Sequence, residues 1–112
     1  MKIAFTAKGK DWSSSMDPRF GRTEYFLIYD EEKDKIEFID NSEANQEAHG
    51  AGPKTAQKLF DLGAQVLITG NGPGGNAASV LDKMELKIYI GAGDMTVKAA
   101  YEAYKNNQLK KF

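Results

Sequence analysis

From Pro53 to Asn107 the chain alternates helix-like and strand-like segments, and this alternation restricts its fold more than any other feature. Pro53 suits the first turn of a helix, Ala56, Leu59, Phe60 and Leu62 form an apolar stripe, and Gly63 supplies a left-handed stop. AQVLIT (64–69) then reads as a nearly all-apolar strand. A second helix runs from about Asn76 to Met84, LKIYIG (86–91) is another strand, and a third helix runs from about Met95 to Asn107. Val97, Ala100, Tyr101 and Tyr104 give that last helix a buried face at helical spacing. Strands separated by helices pair in parallel through right-handed crossovers, with helices packed on the sheet.

The first half has a different rhythm. KIAFTA (2–7) reads as a strand, followed by the polar segment KGKDWSSSMDPRFGRT (8–23), long for a connection inside a compact domain. EYFLIYD and KIEFIDN are two β-rich runs joined by the charged segment EEKD, close enough for an antiparallel hairpin. The predicted fold is a three-layer α/β/α sandwich: a mixed five-stranded sheet with about three helices, and KIAFTA at or next to its centre. A chain of 112 residues with 41% apolar residues fits one domain over 1–112 with one core.

Charge and cysteine content narrow the function. Fifteen basic and sixteen acidic residues leave a net charge of -1, with no basic patch able to neutralise many phosphates, so extended nucleic acid is not an expected partner. The opening MKIAFTAKG has too short an apolar run for a signal peptide, and no stretch approaches the roughly 18 apolar residues of a membrane span. The expectation is a soluble, monomeric cytoplasmic protein with no membrane partner. The chain has no cysteine, which excludes disulfides, thiolate nucleophiles and thiolate ligation of zinc or iron–sulfur clusters by the chain itself.

The stretch TGNGPGGNA (69–77) lies between a strand and a helix. Gly70, Gly72 and Gly75 satisfy G-x-G-x-x-G, the pattern of a dinucleotide-binding turn. Context argues against that function: such folds normally begin with this turn and continue through several strands, whereas one strand follows it here. Pro73 also occupies an internal position, and Gly91 stands where an acidic residue is expected. Two readings remain. The glycines serve a tight strand-to-helix turn that needs positive φ and close packing, or backbone N–H groups at the helix start hold an anion without a charged side chain. Helix one starts at the same sheet edge, so two helix N-termini would face one crevice.

His49, the only histidine, lies in EAHGAGP just before helix one. A lone histidine is commonly structural or solvated. A nearby helix N-terminus disfavours the imidazolium, however, which keeps the ring neutral and able to coordinate a metal, and Gly50 and Gly52 leave room for a bulky ligand.

The opening KIAF, the loop MDPRFGRTEYF, the His49-Gly50 step before a helix and VLITGNGPGG together resemble the dinitrogenase iron-molybdenum cofactor biosynthesis family. That family includes NifX, the carboxyl-terminal domain of NifB, NafY and many small stand-alone proteins. The resemblance spans essentially the whole chain and implies a ribonuclease H-like fold. It also implies non-enzymatic binding or carriage of the iron-molybdenum cofactor, or of its iron–sulfur precursor, between a metallocluster donor and an acceptor protein. Its matching positions are Arg19, Phe20, Gly21 and Arg22 in the first loop, His49 and Gly50, and Gly70, Asn71, Gly72, Gly74 and Gly75 in the glycine turn, with His49 the one candidate metal ligand. Read from chemistry alone, Arg19 and Arg22 are either solvated or offer forked donors to an anionic cluster. Phe20 either anchors the loop or joins that site, and Asp17 before Pro18 organises a turn.

Two other functions compete. A nuclease built on the same fold needs clustered carboxylates starting on the first strand, and KIAFTA has none. A small nucleotide- or anion-responsive interaction module would use the same glycine turn with no cluster role. No catalytic residue is identified: Ser13, Ser14 and Ser15 lie in a polar loop with no second histidine to complete a triad.

Overall fold

The structure is a computed structural model that describes residues 1–20, 22–41, 57–72, 83 and 86–112. Among these residues six strands form one mixed sheet: β1 (Lys2–Ala7), β2 (Tyr25–Asp30), β3 (Lys35–Asp40), β4 (Val66–Ile68), β5 (Lys87–Ile90) and β6 (Lys110–Lys111), in the spatial order β3-β2-β1-β4-β5-β6. As predicted, KIAFTA lies inside the sheet, antiparallel to β2 on one side and parallel to β4 on the other. β2 and β3 form the expected antiparallel hairpin with Asp30 opposite Lys35, and β4 and β5 are parallel. In the turn between β2 and β3, Asp34 takes the left-handed conformation at φ 50°.

The five-strand expectation is corrected by β6, which pairs antiparallel with β5, Ile90 opposite Lys110. Its two lysines are exposed and carry no apolar alternation, so the pattern that reveals the other strands is missing.

Alternation along the strands sends side chains to two cores. Ile3, Phe5 and Ala7 of β1, Leu27 of β2, and Val66 and Ile68 of β4 pack on one face. That face is covered by α1 (Val97–Lys105), which contributes Val97 and Ala100. On the opposite face Ala4, Phe26, Ile28, Leu67 and Ile88 pack with Leu59 from the helical residues 57–61.

Both helix ends have a local cause. Thr96 caps α1 by accepting a hydrogen bond from Ala99 N at 3.2 Å, so the helix begins at Val97 rather than Met95. It ends at Lys105 because Asn107 adopts φ 58°, with Gln108 N donating to Ala103 O and Asn107 N to Tyr104 O. The same closure ends the earlier helix: Gly63 has φ 76°, Ala64 N donates to Leu59 O and Gly63 N to Phe60 O. Phe60, read from the sequence as part of the apolar stripe, is 59% exposed, and among the described residues of that stripe only Leu59 is fully buried. The second helix lies outside the described residues except for Lys83, which is helical. No helix among the described residues is long and apolar enough to cross a membrane.

Candidate functional site

Two threonines sit side by side at the carboxyl ends of the parallel strands, Thr6 as the next-to-last residue of β1 and Thr69 directly after β4, both fully buried. Their hydroxyl oxygens are 2.9 Å apart, and Thr6 Oγ1 donates to Asp17 O at 2.6 Å. Asp17 N in turn donates to Thr6 O at 2.8 Å. The long loop after β1 is therefore stitched back onto the carboxyl edge of its own strand. Sequence reasoning misses both threonines, although a hydroxyl residue at or next to the last position of each of two apolar runs is the available signal.

Asp17 is the centre of this loop. Its side chain has no solvent exposure, yet it stays ionised because donors surround it. Arg19 Nε donates to Oδ1 at 3.0 Å and Arg19 Nη2 to Oδ2 at 2.9 Å, while the backbone N–H groups of Arg19 and Glu24 donate at 3.0 and 3.2 Å. Burial pushes the Asp17 carboxyl up, and the hydrogen bonds and positive charge of Arg19, with the Glu24 N–H, outweigh it and hold the group below its ordinary value. The sequence reading of Asp17 as a turn organiser holds, with one addition: it also binds the guanidinium of Arg19.

The next residue joins the loop to the glycine turn. Pro18 O accepts from Asn71 N at 2.9 Å, and a Cβ at Gly70 would meet Pro18 Cα at 2.5 Å and Gly93 Cα at 3.1 Å. Gly70 is glycine because three backbone segments meet there. The β5 end enters the same junction, with Gly91 N donating to Gly70 O at 2.9 Å and Ala92 N to Thr69 O at 3.4 Å. Loop residues 14–16 also bond to the segment before α1: Met16 N donates to Met95 O and Val97 N to Ser14 O. The loop, the glycine turn and the β5–α1 connection thus form one edge.

Gly72 adopts φ 84°, and a Cβ there would meet the Phe112 ring at 2.7 Å. Phe112 follows β6 and donates its N–H to Ile88 O at 2.9 Å, so the sixth strand brings an aromatic ring against the glycine turn. No sequence motif points to that residue.

These contacts place several of the sequence-derived positions. Arg19 is half-exposed, with two edges of its fork on Asp17. Phe20 is 3% exposed and packs edge-to-face on Phe26 at 5.8 Å, which makes it the loop's anchor in the core rather than an open surface. Arg22 is partly exposed. Gly70 and Gly72 serve packing and positive φ, and Asn71 N–H is engaged by Pro18 rather than turned outward. Gly21, His49, Gly50, Gly74 and Gly75 lie outside the described residues. Among the described residues no group of three or more His, Cys, Asp or Glu side chains could hold a metal ion.

Comparison with known proteins agrees with this architecture. The apo form of the orange protein from Desulfovibrio gigas superimposes with a TM-score of 0.93 at 33% identity, covering 99% of this chain and 92% of that one. An NMR structure from Thermotoga, described as a candidate NifB protein of the DUF35 family, superimposes with a TM-score of 0.84 at 38% identity, covering 98% and 91% of the two chains. An uncharacterized protein of Methanocaldococcus jannaschii is 29% identical over 116 residues, covering the whole of this chain and 92% of its own length. The model of the dinitrogenase iron-molybdenum cofactor family matches residues 1–107, and the chain belongs to that family.

Proposed function

We propose that this chain is a non-enzymatic carrier that binds an iron-molybdenum or iron–sulfur cluster transiently and delivers it to an acceptor protein. The observation that carries the reading is the junction of Pro18 with Gly70 and Asn71, which joins the arginine-bearing loop to the glycine turn at the carboxyl edge of the parallel strands. Ligands of open α/β sheets bind at that edge. Family membership supports a metallocluster as cargo. The orange protein relative is described in an apo form, which presupposes a loaded one.

In this reading the cluster is an anionic cargo. Arg19 and Arg22 supply positive charge beside it, and the part of the glycine turn from Gly72 to Gly75 supplies backbone donors. His49 is the one protein ligand to metal, with Gly50 leaving space beside it. Asp17 keeps Arg19 in place, and Phe20 fixes the loop to the core. One nitrogen ligand and a ring of hydrogen-bond donors hold a cluster less firmly than a set of thiolates, which suits release to a partner. We also read the domain as a single three-layer, ribonuclease H-like unit over 1–112 acting in the cytoplasm.

The test is the iron, molybdenum and sulfide content of protein purified without oxygen, together with anaerobic titration with the isolated iron-molybdenum cofactor. Binding with charge-transfer absorbance supports the carrier. Thermal protection by a nucleotide, with no cluster binding, supports the interaction module instead.

A further inference from the structure

The chain's single tryptophan packs against two tyrosines whose phenols are held by carboxylates. Trp12 lies in the loop after β1, and Lys98 N donates to Trp12 O at 3.0 Å, which fixes that part of the loop on the start of α1. Its ring centroid is 5.1 Å from that of Tyr29 on β2 and 5.5 Å from that of Tyr101 on α1, and the two tyrosine rings are 5.2 Å apart. The buried ring of Phe5 closes the cluster from the core side, edge-on to Trp12 at 5.9 Å. All of these are contact distances for aromatic pairs.

Packing accounts for the rings and leaves the hydroxyl groups unexplained, since phenylalanine would fill the same space. Tyr29 Oη donates to Asp34 Oδ1 at 2.6 Å and Tyr101 Oη to Glu31 Oε2 at 2.6 Å, the length of a charge-assisted O–H···O bond. Both phenols hold their protons at neutral pH: the hydrogen bond to Asp34 pushes Tyr29 up, and burial together with Glu31 pushes Tyr101 up. Tyr104, which packs on Tyr89 instead, turns its hydroxyl to Met1 Sδ at 4.0 Å. A phenol gives up an electron readily when a base already stands within hydrogen-bond reach of its proton.

We infer that Trp12, Tyr29 and Tyr101 form a one-electron relay, which accepts oxidising equivalents at Trp12 and rests them on a tyrosine. Half-buried Trp12 loses an electron to a one-electron oxidant of the small inorganic radical class and its indole proton to water. Tyr29 or Tyr101 then supplies the electron that reduces the indolyl radical, which recovers a proton from water, while the phenol proton passes to Asp34 or Glu31. A thiol in solution quenches the tyrosyl radical by giving it a hydrogen atom, and the carboxyl group releases its proton to water. The chain contains no cysteine, so no thiol of its own intercepts the oxidising equivalent. The relay is independent of the carrier reading, because none of its rings belongs to residues 17–22 or to the glycine turn and it operates in ligand-free protein.

The experiment is pulse radiolysis of ligand-free protein in azide solution, where the azidyl radical oxidises tryptophan preferentially, with transient absorbance following the indolyl and tyrosyl radicals. Wild type, Tyr29→Phe/Tyr101→Phe, Glu31→Gln/Asp34→Asn and Tyr104→Phe are compared, with circular dichroism to verify folding. In wild type the indolyl signal should convert to a tyrosyl signal in a first-order step whose rate does not depend on protein concentration. Tyr29→Phe/Tyr101→Phe keeps the rings and should lose that step, leaving an indolyl radical that decays by encounters between molecules. Glu31→Gln/Asp34→Asn keeps hydrogen-bond acceptors but removes the bases and should slow the step about tenfold. Tyr104→Phe should leave it unchanged. An indolyl radical equally long-lived with and without the two phenols overturns the inference, as does transfer indifferent to loss of both carboxylates or transfer that disappears in Tyr104→Phe.

Discussion

Asp17 grips Arg19 through two parallel hydrogen bonds, at 3.0 and 2.9 Å, and no part of the Asp17 side chain reaches solvent while half of the Arg19 side chain does. The pair is therefore asymmetric. Its carboxylate depends on the arginine and on two backbone N–H groups for solvation, whereas the arginine can still be hydrated. Replacing Asp17 by Ala leaves the Arg19 and Glu24 N–H groups without their acceptor and should cost about 2–4 kcal/mol by urea unfolding. Arg19→Ala strands the buried carboxylate and should also destabilise, so any loss of anion binding by that variant must be judged against its stability.

The same pair predicts an acid limb. The Asp17 carboxyl titrates below its ordinary value in the folded protein, so its stabilisation is complete at pH values above the ordinary aspartate range, about 4. As pH falls further the unfolded chain takes up the proton first, and the stabilisation is lost toward the folded value. The melting temperature of wild type should fall more steeply below about pH 4 than that of Asp17→Asn, which has no proton to gain at that position. Parallel curves for the two proteins would remove Asp17 as the source.

Gly70 and Gly63 should respond differently to alanine. At Gly70 the new Cβ meets Pro18 Cα at 2.5 Å, backbone that the Asn71 N–H holds in place, so the loop must move. We expect a loss of about 1–3 kcal/mol together with displaced loop resonances in NMR spectra. Gly63 has open space around it and φ 76°, so Gly63→Ala should cost about 1 kcal/mol from backbone conformation alone, with the loop signals unchanged.

A double-mutant cycle separates two reasons for glycine at position 72. Its φ of 84° penalises any side chain, and a methyl group added there would stand 2.7 Å from the Phe112 ring. Phe112 is 53% exposed, so its ring can swing aside at small cost. Gly72→Ala should therefore cost about 1–2 kcal/mol in wild type and nearly the same in Phe112→Ala. Strong relief by Phe112→Ala would mean that the ring is fixed and that the sixth strand clamps the turn.

Much of the sheet was legible because its strands write their burial into apolar runs. KIAFTA, the hairpin and the two parallel strands follow from such runs, and Thr96 and Asn107 show why α1 is shorter than its apolar face implies. β6 was hidden because Lys110 and Lys111 contribute backbone pairing without burial. The loop was harder. Its hydrogen bonds join residues far apart in sequence, such as Pro18 to Asn71, and no periodicity records them. The letters RFG and GNG suggest ligand contacts equally for every residue, whereas the geometry assigns Phe20, Gly70 and Asn71 structural work as well. The histidine and the later glycines of the turn lie outside the described residues.

The central claim is that the chain carries a metallocluster, and anaerobic titration with the isolated iron-molybdenum cofactor tests it most directly, followed by gel filtration and metal analysis of the protein peak. Wild type should retain iron and molybdenum at micromolar concentration. His49→Ala should retain less while melting at nearly the same temperature, and wild-type retention should weaken on acidification as the imidazole takes up a proton. A wild-type peak free of iron and molybdenum would contradict the account.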